Sequence, residues 1–333
     1  MIEKILKELS NAVTLGHLKG ATEAARRLLT PYAEVSDFGQ TGLIAKIDKG
    51  QKKTLMLDAH IDEVGFIVTH VFDSGFVKVA PVGGNDPRIL PATPVVIHGK
   101  TELPAVFASN PPHLKGEEEV KATTDILLDT GLGTEVRELA SPGDLISYEK
   151  DFTLLSGGRV CGKSLDDRAA VACLVELASR LYDKDLPVNL ILCLAEQEEL
   201  GTRGAVTATF ALSPDEAVAI DVSFADGPDI PSTKCGKLGG GAMIGISPIL
   251  NRKISDLLTD IAKENNIPHQ LEVMGGKTGT DADVITISGS GVPCGLISIP
   301  LRNMHTPAEV VDMADIAAVC DILEAYILKG GAL

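Results

Sequence analysis

The sequence predicts an α/β fold, a mixed central sheet flanked by helices, interrupted by a small all-β insertion. Three observations point there. Before about residue 64 and after about residue 149, apolar runs of strand length alternate with segments whose apolar residues recur at helical spacing. Between them, residues 65–148 read as short β-rich runs separated by Gly, Pro, Asn and Asp turns. Finally, 333 residues with 44% hydrophobic content, 33 Gly and 18 Pro can bury a sizeable core and still supply many turns. The expected division is a discontinuous α/β domain, 1–64 and 149–333, and an inserted β domain, 65–148.

The elements follow in order. Residues 3–29 carry aliphatic and charged residues at helical spacing and predict a helix ending before Thr30-Pro31. Gly42–Asp48 and Lys53–Leu57 predict strands, the second running into Asp58-Ala59-His60. In the insertion, Phe76-Val77-Lys78-Val79 and Pro94-Val95-Val96-Ile97 are typical of the short β-rich runs. After it, Asp167–Tyr182 places Ala170, Val171, Leu174, Val175, Leu177, Ala178 and Leu181 on one helical period. Val188–Leu194 is a nearly unbroken apolar run, as a buried parallel strand requires. Glu216–Val222 predicts a strand, Lys253–Asn265 a helix, Leu296–Leu301 a strand and Pro307–Leu328 a closing helix. Periodicity leaves Asp283–Ile287 open between helix and strand.

The net charge of −16, from 46 acidic and 30 basic residues, argues against nucleic acid and anionic membranes as partners. It does not identify a cationic substrate, since excess carboxylates also keep a concentrated protein soluble. No stretch approaches the roughly 20 apolar residues that cross a bilayer, and the amino terminus lacks the apolar core of a signal peptide. The six cysteines are scattered with no C-x-x-C pair, which fits a reducing cytoplasm.

Four apolar strands run into clusters of metal-ligand residue types. Leu55-Met56-Leu57 leads to Asp58, His60, Asp62 and Glu63. Leu190–Leu194 leads to Glu196, Glu198 and Glu199. Ala217–Ile220 leads to Asp221, and Leu296–Ile299 leads, a few residues on, to His305. Ligands in open α/β sheets bind just beyond the carboxyl ends of strands, so these groups can converge in one crevice. A fifth cluster, Ser164–Arg168, opens the helix after the insertion. Each cluster also has an ordinary explanation: a His60–Asp62 hydrogen bond at a strand end, Asp166 or Asp167 as a helix cap, or Glu198-Glu199 as a solvated charge run. Together, two histidines and several carboxylates form a set suited to Zn²⁺, Co²⁺ or Mn²⁺ rather than to a cysteine-rich structural site. The carboxylates exceed what one ion needs, which predicts two ions sharing a bridging carboxylate and a water.

The segments DAHIDEVGF (58–66), GKSLDDR (162–168), EQEELGTRGA (196–205), AIDVS (219–223), GTDA (279–282) and ISIPLRNMHTPAEVV (297–311) resemble family forty-two of the metallopeptidases. These are the glutamyl and deblocking aminopeptidases that assemble as tetrahedral dodecamers. The resemblance implies a zinc-exopeptidase-like fold and removal of amino-terminal residues from peptides. It implies that His60 and Glu199 bind different ions of a pair, as do Asp221 and His305. Asp166 would bridge the two, with a cis peptide to Asp167, Asp62 would orient His60, and Glu198 would be the general base and acid. It also implies that the insertion is a barrel-like dimerisation domain and that dimers build a dodecamer.

Some positions depart from the family pattern. Asn303 stands where Tyr is common, Thr306 where Ser is, Asp283 where a small residue is, and Ala242 where Pro is. None falls on an expected ligand. The same ligand set would also serve an amidohydrolase, a deacylase or a carboxypeptidase. A non-catalytic metal-binding assembly homologue would be expected to have lost a ligand or the base, and all are present.

Overall fold

The computed structural model describes residues 1–110, 113, 121–228 and 230–333; residues 111–112 and 114–120 of the expected insertion lie outside these, as does residue 229. The chain opens with α1 (Ile2–Ser10) and α2 (Gly20–Leu29), then β1 (Glu34–Phe38), β2 (Gly42–Ile47) and β3 (Thr54–His60). The single helix expected over 3–29 is therefore two. Thr14 breaks it: its Oγ1 accepts the amides of Ala21 and Thr22 at 3.1 and 3.2 Å, satisfying the free donors that begin α2. Val13 and Leu15 are drawn instead into a small apolar seam with Leu145.

Six strands then close a barrel: β4 (Gly65–Val71), β5 (Val77–Val82), β6 (Pro94–His98), β7 (Glu102–Phe107), β8 (Leu128–Asp129) and β9 (Leu145–Tyr148), with the short helix α3 (Val136–Leu139) before the last. Alternation along β7, with Leu103, Ala105 and Phe107 buried and the residues between exposed, is the period of a strand with one face inside. Phe66 stacks edge-on to Phe107 and Tyr148, at ring centroid separations of 4.9 and 5.6 Å, and fills the barrel's centre.

The chain returns through β10 (Thr153–Leu154) and β11 (Arg159–Gly162) to α4 (Leu165–Leu181). Then come β12 (Asn189–Ala195), α5 (Arg203–Leu212), β13 (Glu216–Phe224), β14 (Ala242–Ile246), α6 (Arg252–Glu264), β15 (His269–Val273), α7 (Ala282–Ile285), β16 (Cys294–Arg302), β17 (Glu309–Asp312) and α8 (Met313–Lys329). Eleven strands form one mixed sheet in the order β1-β2-β12-β3-β13-β16-β17-β11-β10, with β14 beside β16 and β15 at the edge beyond it. The neighbours β12, β3, β13 and β16 are parallel, so their carboxyl ends share one rim.

The segment left open at 283–287 forms part of the short helix α7. The closing helix begins later than expected: residues 309–312 pair with β11 and β16 as a strand, as the β-branched Val310-Val311 favours, and Asp312 then caps α8 by accepting the Ala314 amide at 3.0 Å. The main core lies between the sheet and α1, α2, α4, α6 and α8, and a second lies under α5 and α7 on the opposite face. The helix α4 is apolar on nearly every side and correspondingly buried on every side. Among the described residues no helix is long and apolar enough to cross a membrane.

Candidate metal centre

The rim formed by the parallel strands is where the polar clusters meet. His60 is the last residue of β3, in register with Ala195, so the Glu196–Leu200 turn that follows β12 begins beside it. Asp221 lies on β13, in register with Ser298 of β16. Asp166 and Asp167 sit at the start of α4, where φ and ψ are not yet helical and the peptide between them is cis. His305 lies in the turn between β16 and β17 with φ of +61°.

Asp166 stands at the centre. Its Oδ1 is 2.9 Å from Nε2 of His60, and its Oδ2 is 3.3 Å from Nε2 of His305. The same His305 nitrogen is 3.1 Å from Oε1 of Glu199. Two donor sets result, His60–Asp166–Asp221 and Asp166–Glu199–His305, the atoms of each lying within 4.8 Å of one another, with Asp166 common to both. Glu198 joins a third such group with His60 and Glu199. All seven residues expected from the sequence to act here are thus brought together at one rim.

The electrostatics describe a site short of positive charge. Burial works against a charged His305, but the carboxylates of Asp166 and Glu199 outweigh it and push the imidazole up to about 11. His60 is likewise held well above its ordinary value against burial, by Asp166 and Asp62. Burial, reinforced by the charges of Glu199, Asp166 and Asp62, pushes Glu198 up to about 7. Asp221, buried and facing the same carboxylates, is raised well above the ordinary range. A cluster of acids converging on two imidazoles, with Nδ1 of His60 buried and unbonded, fits divalent cations better than it fits a set of internal ion pairs.

Two further carboxylates brace the backbone around the cluster. Asp62 approaches Nδ1 of His60 only to 3.6 Å, longer than a hydrogen bond. Its bonded partners are the amides of Glu198 at 3.0 Å and Glu199 at 3.3 Å, so it holds the turn that carries both. Glu309, which sequence reasoning missed, is fully buried on β17 and accepts the amides of Asp166 at 3.0 Å and His305 at 2.8 Å. The available signal was a carboxylate placed four residues after His305 and followed by two β-branched residues.

The departures from the family pattern have local explanations. Asn303 has φ of +58°, which Asn tolerates better than most residues, and its Nδ2 donates to the carbonyl of Ala308 at 3.0 Å. Thr306 donates to the Asn303 carbonyl at 2.7 Å, and the two tie down the turn that holds His305. Asp283 accepts the Thr278 and Gly279 amides, fixing a loop on the cleft wall. Ala242 donates its amide to the carbonyl of Pro268 at 3.2 Å, a bond no proline could make.

A cavity of about 310 Å³ opens onto the cluster, walled also by Phe224, Glu272, Thr278, Thr280, Leu296, Ser298 and Met304. A larger recess of about 760 Å³ lies where α1 and α2 meet the barrel, but His60, Asp166 and His305 are not among its walls and it gathers no comparable donor set. The barrel also touches the centre. In the loop after β5, a Cβ added to Gly84 would come within 2.9 Å of Nδ1 of His305, and one added to Gly83 within 3.3 Å of Glu199 Cβ. Bare backbone at these two positions leaves both side chains undisturbed.

Comparison with known proteins places the chain among aminopeptidases. The profile of the M42 glutamyl aminopeptidases matches residues 41–322. A lysyl aminopeptidase of Pyrococcus furiosus is 30% identical over 308 residues, covering 90% of this chain and 88% of that protein. The solved structure of an aminopeptidase from the archaeon Desulfurococcus kamchatkensis superposes with a TM-score of 0.92 at 29% identity, covering 98% of this chain and 94% of that one. The TET1 peptidase of Pyrococcus horikoshii, described as assembling into a tetrahedron or a large octahedral shell, gives a TM-score of 0.87 at 28% identity, covering 99% and 100% of the two chains.

Proposed function

The chain belongs to the M42 glutamyl aminopeptidase family, and from that premise we propose that it is a cytoplasmic aminopeptidase working with two divalent ions, zinc or cobalt, with manganese as a further candidate. His60 and Asp221 would hold one ion, Glu199 and His305 the other, and Asp166 both. The observation that carries this reading is that the two carboxylate oxygens of Asp166 face different histidines, at 2.9 and 3.3 Å. When bound, such a pair supplies Lewis acidity and makes water acidic enough to act as a nucleophile near neutral pH.

The chain's own residues supply the proton transfers. With its carboxyl raised by burial to about 7, Glu198 is poised to take a proton from the attacking water and return it to the leaving amine. Asp62, bonded to the Glu198 and Glu199 amides, keeps the base at a fixed distance from the ligand beside it. We further assign residues 65–148 as a dimerisation domain, with dimers assembling into a dodecamer; the shell-forming relative supports this.

Glu198→Gln tests the assignment of the base. The variant is expected to retain its metal content by elemental analysis while turnover of aminoacyl amides falls by roughly 10²- to 10⁴-fold. Near-normal turnover would remove Glu198 from the mechanism.

A further inference from the structure

We propose that Glu272 selects peptides whose first residue is lysine or arginine, its carboxylate receiving the cationic end of that side chain. The inference rests on the aminopeptidase reading above and supplies a substrate class for it. The family's description names glutamate and the Pyrococcus relative names lysine, so neither decides the question for this chain.

Glu272 reaches the cleft because of how the sheet edge is built. It lies on β15 in register with Gly245 of β14, and β14 in turn pairs with β16. Glu272 extends across β14, and its Oε2 accepts a hydrogen bond from Ser298 Oγ of β16 at 2.9 Å. Its Oε1 accepts from Ser223 Oγ of β13. Ser298 is the in-register neighbour of Asp221, about 4.8 Å away in a sheet. The Glu272 carboxylate is therefore one hydrogen bond and one strand from a proposed ligand, on the wall of the same cavity.

The charge balance of the cavity leaves Glu272 over. Its walls carry the carboxylates of Asp166, Glu198, Glu199, Asp221 and Glu272, and neither Lys nor Arg. Two divalent ions would balance the first four. Glu272 belongs to none of the donor groups, has no ion-pair partner among the described residues, and is bonded only to two neutral hydroxyls. A half-buried carboxylate in that position favours a cation brought by the substrate. Phe224, Leu296 and Met304 on the same walls offer apolar surface for an aliphatic stem, and an aliphatic stem carrying a charged tip describes lysine and arginine side chains.

The competing role for Glu272 is to hold the α-ammonium, which every peptide substrate carries. Lysyl and norleucyl amides separate the two roles, because they differ only in the terminal ammonium. The metal-loaded enzyme is expected to show a kcat/KM ratio, lysyl over norleucyl, on the order of tenfold or more, and Glu272→Gln is expected to bring that ratio close to one. A ratio is independent of how much of the preparation is folded, so partial misfolding of the variant does not blur the result. A wild-type ratio near one, or a substitution that slows both amides equally, overturns the inference while leaving the aminopeptidase reading intact. Cleavage of neither amide, nor of leucyl and glutamyl amides, overturns that reading and the inference with it.

Discussion

Glu309 neither lines the cavity nor offers an atom to any candidate donor group, yet it grips the backbone at two proposed ligands that lie far apart in sequence. Accepting from the amides of both Asp166 and His305, it fixes the peptide on either side of the shared carboxylate. Outer residues that orient ligands are worth about 10- to 100-fold in metal affinity. Glu309→Ala is accordingly expected to weaken divalent ion binding by that order, read by calorimetric titration, whereas a purely structural residue would lower thermal stability and leave affinity alone. At this scale His60, Glu199, Asp221 and His305 were legible as candidate ligands because each follows an apolar strand, where an acid or imidazole is conspicuous, and Asp166 because two adjacent acids open a helix that needs only one as a cap. Glu309 and Glu272 were not, because single carboxylates in alternating segments look the same as solvent-facing positions on an edge strand. Asp62 was legible as a neighbour of His60, but its hold on the Glu198 and Glu199 amides was not, since a bond to an amide leaves no trace in residue type.

Among the elements, the junction between barrel and sheet is secured by a buried ionic knot. Glu63, in the turn between β3 and β4, accepts from Lys163 Nζ and Ser164 Oγ just before α4, takes the Thr14 amide at 3.0 Å, and lies 3.7 Å from the guanidinium of Arg168. Lys163, Arg168 and Glu63 are all buried. Removing one partner strands the others in a medium that cannot solvate them, a loss of about 3–5 kcal/mol. Glu63→Gln is expected to lower unfolding stability by that order, measured by urea denaturation; a change below 1 kcal/mol would mean that water reaches the knot. The parallel strands and α4 could be read from periodicity because their burial is uniform or strongly sided. The two-helix amino terminus could not, since the break is made by one Thr hydroxyl capturing two amides. The strands β14 and β15 were also missed; one contains a glycine, and the other sets half-buried polar residues, Gln270 and Glu272, against exposed apolar ones, Leu271 and Val273, so neither gives the period of a buried strand.

For the molecule as a whole, four strands and a helix deliver acids to one rim, and their mutual repulsion opposes the fold unless cations are present. Each ion at a hundredfold excess over its dissociation constant would stabilise the chain by about 2.7 kcal/mol, so chelation is expected to lower the melting temperature by several degrees. The sign with pH follows from His305. In the ion-free protein it is protonated up to about pH 11 and must lose that proton to accept a metal, so binding releases protons and affinity rises with pH. Titration in buffers of differing ionisation enthalpy reads the release directly, and zero protons exchanged at neutral pH would contradict it. The alternation of strands and helices around a β-rich interruption was visible in the sequence, whereas the contact the interruption makes with the cleft was not. Gly83 and Gly84 press unadorned main chain from the barrel onto Glu199 and His305, although the barrel leaves the chain between His60 and Asp166. Two of the proposed ligands thus lean on main chain that belongs to a separate body. A tilt of that body would displace the imidazole it leans on, so substitutions at the base of the barrel are expected to lower turnover without touching a single proposed ligand.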